Sequence, residues 1–366
     1  MRVPVINYDS EPLMPTKRSR ARRWIKEGKA IGKWSKLGIF YIQLLTPASG
    51  DKAQDIAVGI DPGKQFTGIA VLSHKSTLLT IHVDLPFKNI TKRMAQRAMM
   101  RRCRRGRRIN KKIPFNQRSH RQTRFDNRRQ KKLPPSINAN KQLERRILGL
   151  IIKLFPVSKV VYEVVKASGN KGFSPVMVGQ IDQCKKLSKL DYLFDFKTLQ
   201  GYETYQIREH LKLEKEKSDK SLKIPQTHAV DGIALAASNW MNYGIVDNNS
   251  MGWRGEITLT DSIFLVISRP PISRRQLHLM VPNKGGKRRK YGGSVTQHGY
   301  RKGDNVEAVK ANKTYRGWVS GDTNTQVSVS NANWKRLGQF SKNKVRLIRR
   351  STGLIITSRK YLAKGT

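Results

Sequence analysis

The stretch from Thr91 to Lys132, TKRMAQRAMMRRCRRGRRINKKIPFNQRSHRQTRFDNRRQKK, sets the strongest limit on how this chain can fold. Its only acid is Asp126, and Arg and Lys recur on every side of the helix that its Met and Ala residues allow. A helix that is polar all round has no stripe to bury, so it lies between other bodies rather than inside a core. The core must come from the segments on either side of it. Arg outnumbers Lys in the tract, and the planar guanidinium fork favours phosphate. A solvated or disordered basic run is the plainer reading. The internal position of the tract, between two apolar segments, favours a basic helix laid along a nucleic-acid backbone.

The charge is not confined to that tract. The 366-residue chain holds 73 Lys and Arg against 25 Asp and Glu, a formal net charge of +48. Like charge at this density repels itself unless something neutralises it, and polyanions do so through release of counterions from phosphates. An anionic membrane is the rival partner. However, no apolar run approaches the ~18–20 residues that span a bilayer, and the start MRVPVINYDSEPLMP lacks the apolar stretch of a signal peptide. The expectation is a soluble, cytoplasmic protein that binds nucleic acid. Cys103 and Cys184 are the only cysteines. Neither a disulfide framework nor a CxxC zinc element is therefore available.

Around the basic tract the periodicities change several times. Near the start, Thr16 is placed to cap a basic helix, TKRSRARRWIKEGKA, that stops near Gly28. Leu37 to Leu45 reads as a buried strand. DIAVGID, FTGIAVL and STLLTIHVDL, within residues 55–90, read as three antiparallel strands joined by short turns. After Leu133 to Ile137 comes an amphipathic helix, NKQLERRILGLIIKLF, and then a strand from Val157 to Val165. The segment from Val178 to Lys223 is mostly polar and reads as helical in parts. Thr227 to Met241 reads as an apolar helix with Thr227 as its cap. From Gly252 onward, short strands with Gly and Asn turns suggest a small barrel or barrel-like sheet.

Acids are scarce in this chain, so an acid inside an apolar element carries information. Asp61 ends the strand DIAVGID, Glu163 lies within VVYEVV, and Asp231 lies within HAVDGIALA. A lone carboxylate in such a setting is costly unless it is paired or metal-bound. Each has a plainer reading alone: a turn former before Pro62-Gly63, an outward strand position, an acid favoured by a helix N-terminus. His228 and Asp231 are spaced i, i+3 and share one face of a helix start. Hard cations such as Mg²⁺ take carboxylate oxygens, and two of them roughly 3.5–4 Å apart can cleave a phosphodiester.

In that order, VGIDPGKQFTGIAV, VVYEVV and THAVDGIALA resemble the three split motifs of a RuvC-type nuclease of the RNase H-like fold. The Arg-rich tract resembles the bridge helix of RNA-guided nucleases. The opening, with Pro12-Leu13-Met14-Pro15, resembles a PLMP domain. FSPVMVGQ, GYETYQIREHLKLEKEKSDK and RRKYGGSVTQHGYRKGD extend the likeness over nearly the whole chain. The family it resembles is the IscB/IsrB family of transposon-encoded, ωRNA-guided nucleases, relatives of the type II CRISPR effectors. Residues 164–227 leave no room for the HNH insertion of IscB-like members, and the four-Cys element of TnpB-like relatives is missing. The IsrB branch is the one that this combination resembles.

The resemblance implies an α/β protein. Residues 1–54 would form the PLMP domain and 55–90 the first part of the RuvC domain. The bridge helix would cover 91–132. The remaining RuvC parts would cover 133–244, and a β-rich domain that meets a flanking DNA motif would cover 245–366. It implies that Asp61, Glu163, Asp231 and His228 bind two Mg²⁺ ions, with Mn²⁺ as a substitute, and cut the displaced DNA strand. Guide RNA and heteroduplex would lie on Arg97, Arg101, Arg102, Arg104, Arg105, Arg107, Arg108, Arg121, Arg124 and Arg128, and RNA also on Lys17, Arg18, Arg20, Arg22 and Arg23. Arg288, Arg289, Gln297, Arg301 and Lys302 are candidates for the flanking motif, since Arg suits guanine and Gln suits adenine. In so basic a chain each of them also suits a phosphate. The expected assembly is a monomer within a ribonucleoprotein of prokaryotic cytoplasm, acting on double-stranded DNA. Two alternatives stay open: a guided DNA binder with an idle nuclease, and an RNA-independent junction resolvase.

Overall fold

Two short strands with apolar residues on one face open the chain, β1 (Arg2–Ile6) and β2 (Pro12–Lys17). Helix α1 (Arg18–Lys26) and strands β3 (Ala30–Trp34) and β4 (Phe40–Leu44) follow. The strands form a sheet in the order β2-β1-β4-β3 around a small core of Val5, Ala21, Ala30 and Ile42. Thr16 does not cap α1. Its pairing with Val3 keeps it inside β2, and Lys17 occupies the cap position without a side-chain bond. The computed structural model describes residues 1–47, 50, 53–108, 110, 112–117, 133–165, 175–247, 250–271, 295–296 and 298–361.

The main sheet starts with an antiparallel meander, β5 (Ile56–Pro62), β6 (Phe66–Ser73) and β7 (Ser76–Asp84). These strands are covered on both faces and accordingly read as continuous apolar runs. Helix α2 (Phe87–Arg108) then leaves the sheet, and none of its described side chains is buried. Helix α3 (Pro135–Ile152) returns the chain to strand β8 (Lys159–Val164), which pairs parallel with β5. Helix α4 (Pro175–Leu187) leads to β9 (Asp195–Gln200), parallel to β8. This strand lies in the segment read as partly helical. It is an edge strand with mostly accessible side chains, DFKTLQ, so it has no apolar run to announce it.

Helices α5 (Gly201–His210) and α6 (Pro225–Ala237) precede a hairpin of β10 (Asn242–Asp247) and β11 (Ser250–Arg254). Thr227 is not the cap of α6. Pro225 starts the helix, and the Thr227 hydroxyl donates to the Ile224 carbonyl at 2.7 Å from within the first turn. Strand β12 (Ser262–Ser268) then pairs parallel with β7. The strands β13 (Asn305–Lys310), β14 (Lys313–Asp322), β15 (Gln326–Ser330), β16 (Arg336–Ser341) and β17 (Val345–Arg349) make a separate antiparallel sheet, in the order β16-β15-β14-β13-β17. Its edges β16 and β17 are joined by Lys342–Lys344 alone. Four Cα steps reach about 15 Å at most, so the sheet curls toward closure around Val306, Val319, Val327 and Phe340.

Strand β18 (Ile355–Tyr361) returns to pair with β12. The seven-stranded mixed sheet thus runs β18-β12-β7-β6-β5-β8-β9. Residues 245–366 are therefore not one β unit, because β12 and β18 enlarge the main sheet. An apolar strand such as SIFLVIS reads alike in a small barrel and in the middle of a covered sheet. On one face, α3 packs on Val58, Ile60, Val160 and Tyr162; on the other, α6 packs on Ala57, Ala70 and Val161. The molecule is a mixed α/β protein. Among the described residues, no helix is long and apolar enough to cross a membrane.

Candidate active site

Strand parity decides where the acids point. In β5, Ile56, Val58 and Ile60 enter the α3-side core and Ala57 enters the α6-side core. Successive side chains alternate faces, so Asp61 points toward α6. In β8, Tyr162 faces α3 and Val161 faces α6, which sends Glu163 to the α6 side as well. The parallel register pairs Ile60 with Tyr162, which leaves Asp61 and Glu163 as the next residues on neighbouring strands. Asp61 itself lies inside β5, opposite Gly68; the turn that follows is closed by the Gly63 amide donating to the Phe66 carbonyl at 2.9 Å.

Helix α6 reaches this face because the surfaces between it and the sheet are small. A β-carbon at Gly68 would stand 1.9 Å from the His228 carbonyl oxygen, and one at Gly59 would stand 2.1 Å from the Gly232 carbonyl oxygen. Only glycine allows backbones this close. The close approach brings His228 Nδ1 to 3.9 Å from Asp61 Oδ2. The Glu163 side chain hydrogen-bonds Asp61, and the charge of Asp231 is felt by both.

Burial raises Asp61 to about 6, with repulsion from Asp231 adding to it. Burial also raises Glu163 to about 9, helped by the charge of Asp61. At neutral pH Glu163 is therefore the donor and Asp61 the acceptor in their shared bond. Burial holds the His228 imidazole below its usual range. Its Nε2 lies 3.0 Å from the Lys220 carbonyl. A carbonyl only accepts, so Nε2 carries the proton and Nδ1 keeps its lone pair.

Asp231 is held differently. Arg208 Nη1 donates to its Oδ1 at 2.7 Å, and Lys215 Nζ donates to its Oδ2. Among the described residues no three His, Cys, Asp or Glu side chains form a ready cation cage. Asp231 is paired with two cations, and Asp61 and Glu163 share a proton. Crowded carboxylates with raised pKa values still fit a hard divalent ion, which would take the place of the shared proton. Each Asp231 oxygen accepts one of these bonds and keeps a further lone pair for such an ion.

Three residues at the site were not among the candidates read from the sequence. His82, on β7 opposite Gly68, packs its ring 5.3 Å from that of His228, and Phe66 lies 5.2 Å from both. Burial lowers His82 to about 3, so it stays neutral. Its parity with Gly68 was the available signal. Arg208 and Lys215 lie in GYETYQIREHLKLEKEKSDK, a stretch that carries the family likeness, but nothing in it marks them as partners of Asp231.

The remaining candidates are spread over the surface. Lys17, Arg18, Arg20, Arg22 and Arg23 are exposed on and beside α1, and Arg97 and Arg102 are exposed on α2. Arg101, half-buried on α2, has a buried Nε without a partner. Arg104, Arg105, Arg107 and Arg108 continue the α2 backbone, but their side chains lie outside the described residues, as do Arg121, Arg124, Arg128, Arg288, Arg289 and Gln297. Arg301 is exposed. Lys302 turns back on its own chain, donating to the Pro271 carbonyl at 2.8 Å and lying 5.4 Å from the Trp334 ring centre.

Residues 3–177 match the model of the RRXRR protein family. The match takes in Asp61, α2 and Glu163 and stops before α5 and α6. The RRXRR domain is one found in IscB/IsrB-type proteins, and the match is compatible with that resemblance. Arg101 to Arg108 read Arg-Arg-X-Arg-Arg twice, sharing Arg104 and Arg105. No curated protein matches the chain.

Proposed function

We propose that the chain is an ωRNA-guided DNA nickase of the IsrB kind, cutting the displaced strand at the carboxylate cluster of an RNase H-like domain. The observation that carries this reading is the meeting of Asp61 and Glu163, from neighbouring parallel strands, with His228 and Asp231 from one helix face. The mixed sheet, with three antiparallel strands extended by two parallel ones, supports it, as does the RRXRR match. Two bound Mg²⁺ ions, or Mn²⁺ in their place, would activate water and stabilise the leaving oxygen. The protein would supply Asp61, Glu163 and Asp231 as oxygen ligands. His228 is suited to take the proton of the attacking water, because Lys220 fixes its tautomer with Nδ1 toward Asp61. Sequence would be read by guide pairing, with the protein holding backbone and shape.

Asp61→Ala is expected to abolish Mg²⁺-dependent nicking of a supercoiled target plasmid while leaving RNA binding intact. Undiminished nicking by this variant would overturn the site. The clamp of Arg208 and Lys215 on Asp231 favours one second reading, a guided DNA binder with an idle site. A plasmid that stays supercoiled with wild-type ribonucleoprotein in both Mg²⁺ and Mn²⁺ would decide for it.

A further inference from the structure

Helix α5, next to the carboxylate cluster, carries two tyrosines that none of the roles above uses. Its first residue abuts Glu163: a β-carbon on Gly201 would stand 3.4 Å from Glu163 Oε1. Residues three apart share a helix face, so Tyr202, Tyr205 and Arg208 form one row. It follows directly on Gly201, the residue that abuts Glu163, and ends on Asp231. Tyr202 is 63% exposed and Tyr205 49% exposed, although large rings contribute most when covered. The Arg208 guanidinium lies 5.2 Å from the centre of the Tyr205 ring. It is almost fully buried, and its Nε has no hydrogen-bond partner.

Past Arg208 the row opens into a cleft of about 370 Å³. Its cations are Arg208, Lys212, Lys215 and Lys217, and its acids are Glu209 and Glu214. Counting Asp231, four cations face three acids, so the cleft stays net positive. Open aromatic rings followed by a cationic groove are the two parts of a single-strand site. Bases stack on the rings whatever their identity, and the backbone follows the charge. The neighbouring cations make an apolar protein partner the poorer fit.

The geometry points to α5 as a platform for an unpaired DNA strand. Tyr202 and Tyr205 stack its bases, and the cleft beyond Arg208 takes a backbone phosphate beside the one that enters the carboxylate cluster. This rests on the nuclease reading, which makes DNA the strand lying against those carboxylates.

The test uses the full chain with its guide RNA, in Ca²⁺, on a target duplex whose displaced strand is pre-melted. Single 2-aminopurine bases are placed along that strand, since stacking quenches their fluorescence. Wild-type protein is expected to quench one or two adjacent positions. The Tyr202→Ala/Tyr205→Ala variant is expected to lose that quenching and to bind the substrate at least about tenfold more weakly. Tyr202→Phe/Tyr205→Phe keeps both, which separates stacking from any loss of fold. Quenching that is absent in the wild type, or unchanged in the Ala variant, would overturn the platform. So would Tyr-dependent quenching of probes placed in the guide RNA instead of the displaced strand. Nicking in Mg²⁺ without Tyr-dependent quenching sinks the platform alone. Tyr-dependent quenching without nicking in Mg²⁺ or Mn²⁺ sinks the nuclease reading alone.

Discussion

Glu144, on α3 against the main sheet, and Glu163, on β8 within it, are acids that the structure treats in opposite ways. Glu144 is fully buried between Lys141 and Thr67, with its oxygens 3.0 Å from each, and the Tyr162 hydroxyl donates to it at 3.3 Å. It is a paired, structural charge, and removing one partner of such a pair typically costs about 3–5 kcal/mol. Among the described residues no cation pairs with Glu163, and it keeps its proton instead. This has a consequence for pH. In EDTA, Asp61 and Glu163 have folded pKa values of about 6 and about 9 against ordinary values of 3.8 and 4.5. Both are raised, so the native state holds protons that the unfolded state releases. Their contribution to stability is full below about pH 4 and is lost as pH rises through about 6 and then about 9. Melting temperature in EDTA is therefore expected to fall from pH 5 to pH 9, and Glu163→Gln to flatten the upper part of that fall. Mg²⁺ should raise the melting temperature more at pH 8 than at pH 5. A profile that Glu163→Gln leaves unchanged would show that Glu163 does not hold that proton.

Among the elements, α6 decides whether there is a site at all. It is lined with Gly and Ala where it meets β5 and β6, so its backbone rests almost on theirs. Gly68→Ala puts a methyl group into the His228 carbonyl. Over-packing of this kind typically costs about 1–3 kcal/mol. A melt of that size, together with a loss of nicking far beyond the small change in folded fraction, is the expected result. Full nicking by Gly68→Ala would mean that α6 need not sit so close. The acids were legible because a charge stands out in IAVGID and VVYEV. The glycines that bring them together were visible but had no meaning before the helix was laid on the strands. Helix α2 is the opposite case: its lack of an apolar face was plain in TKRMAQRAMMRRC, and no described side chain on it is buried. Strand β9 was hidden because an edge strand that faces solvent has no apolar run.

At the scale of the whole molecule, a net charge of +48 has to be neutralised before the domains can sit together comfortably. RNase treatment of the purified protein is expected to lower its melting temperature and its solubility, most strongly at low salt, where screening is weakest. A sharp unfolding transition at low salt that is indifferent to RNA would contradict this. The sequence by itself determined the strong positive charge, the polar-all-round α2 helix, the three-strand meander and the acids worth watching. Each depends on composition or on periodicity within one segment. Tertiary structure alone decided that β12 and β18 join the main sheet, that Arg208 and Lys215 close on Asp231, and that His82 stands behind His228. These are contacts between segments far apart in the chain, and no local pattern encodes which distant partner a buried charge or an apolar strand will find.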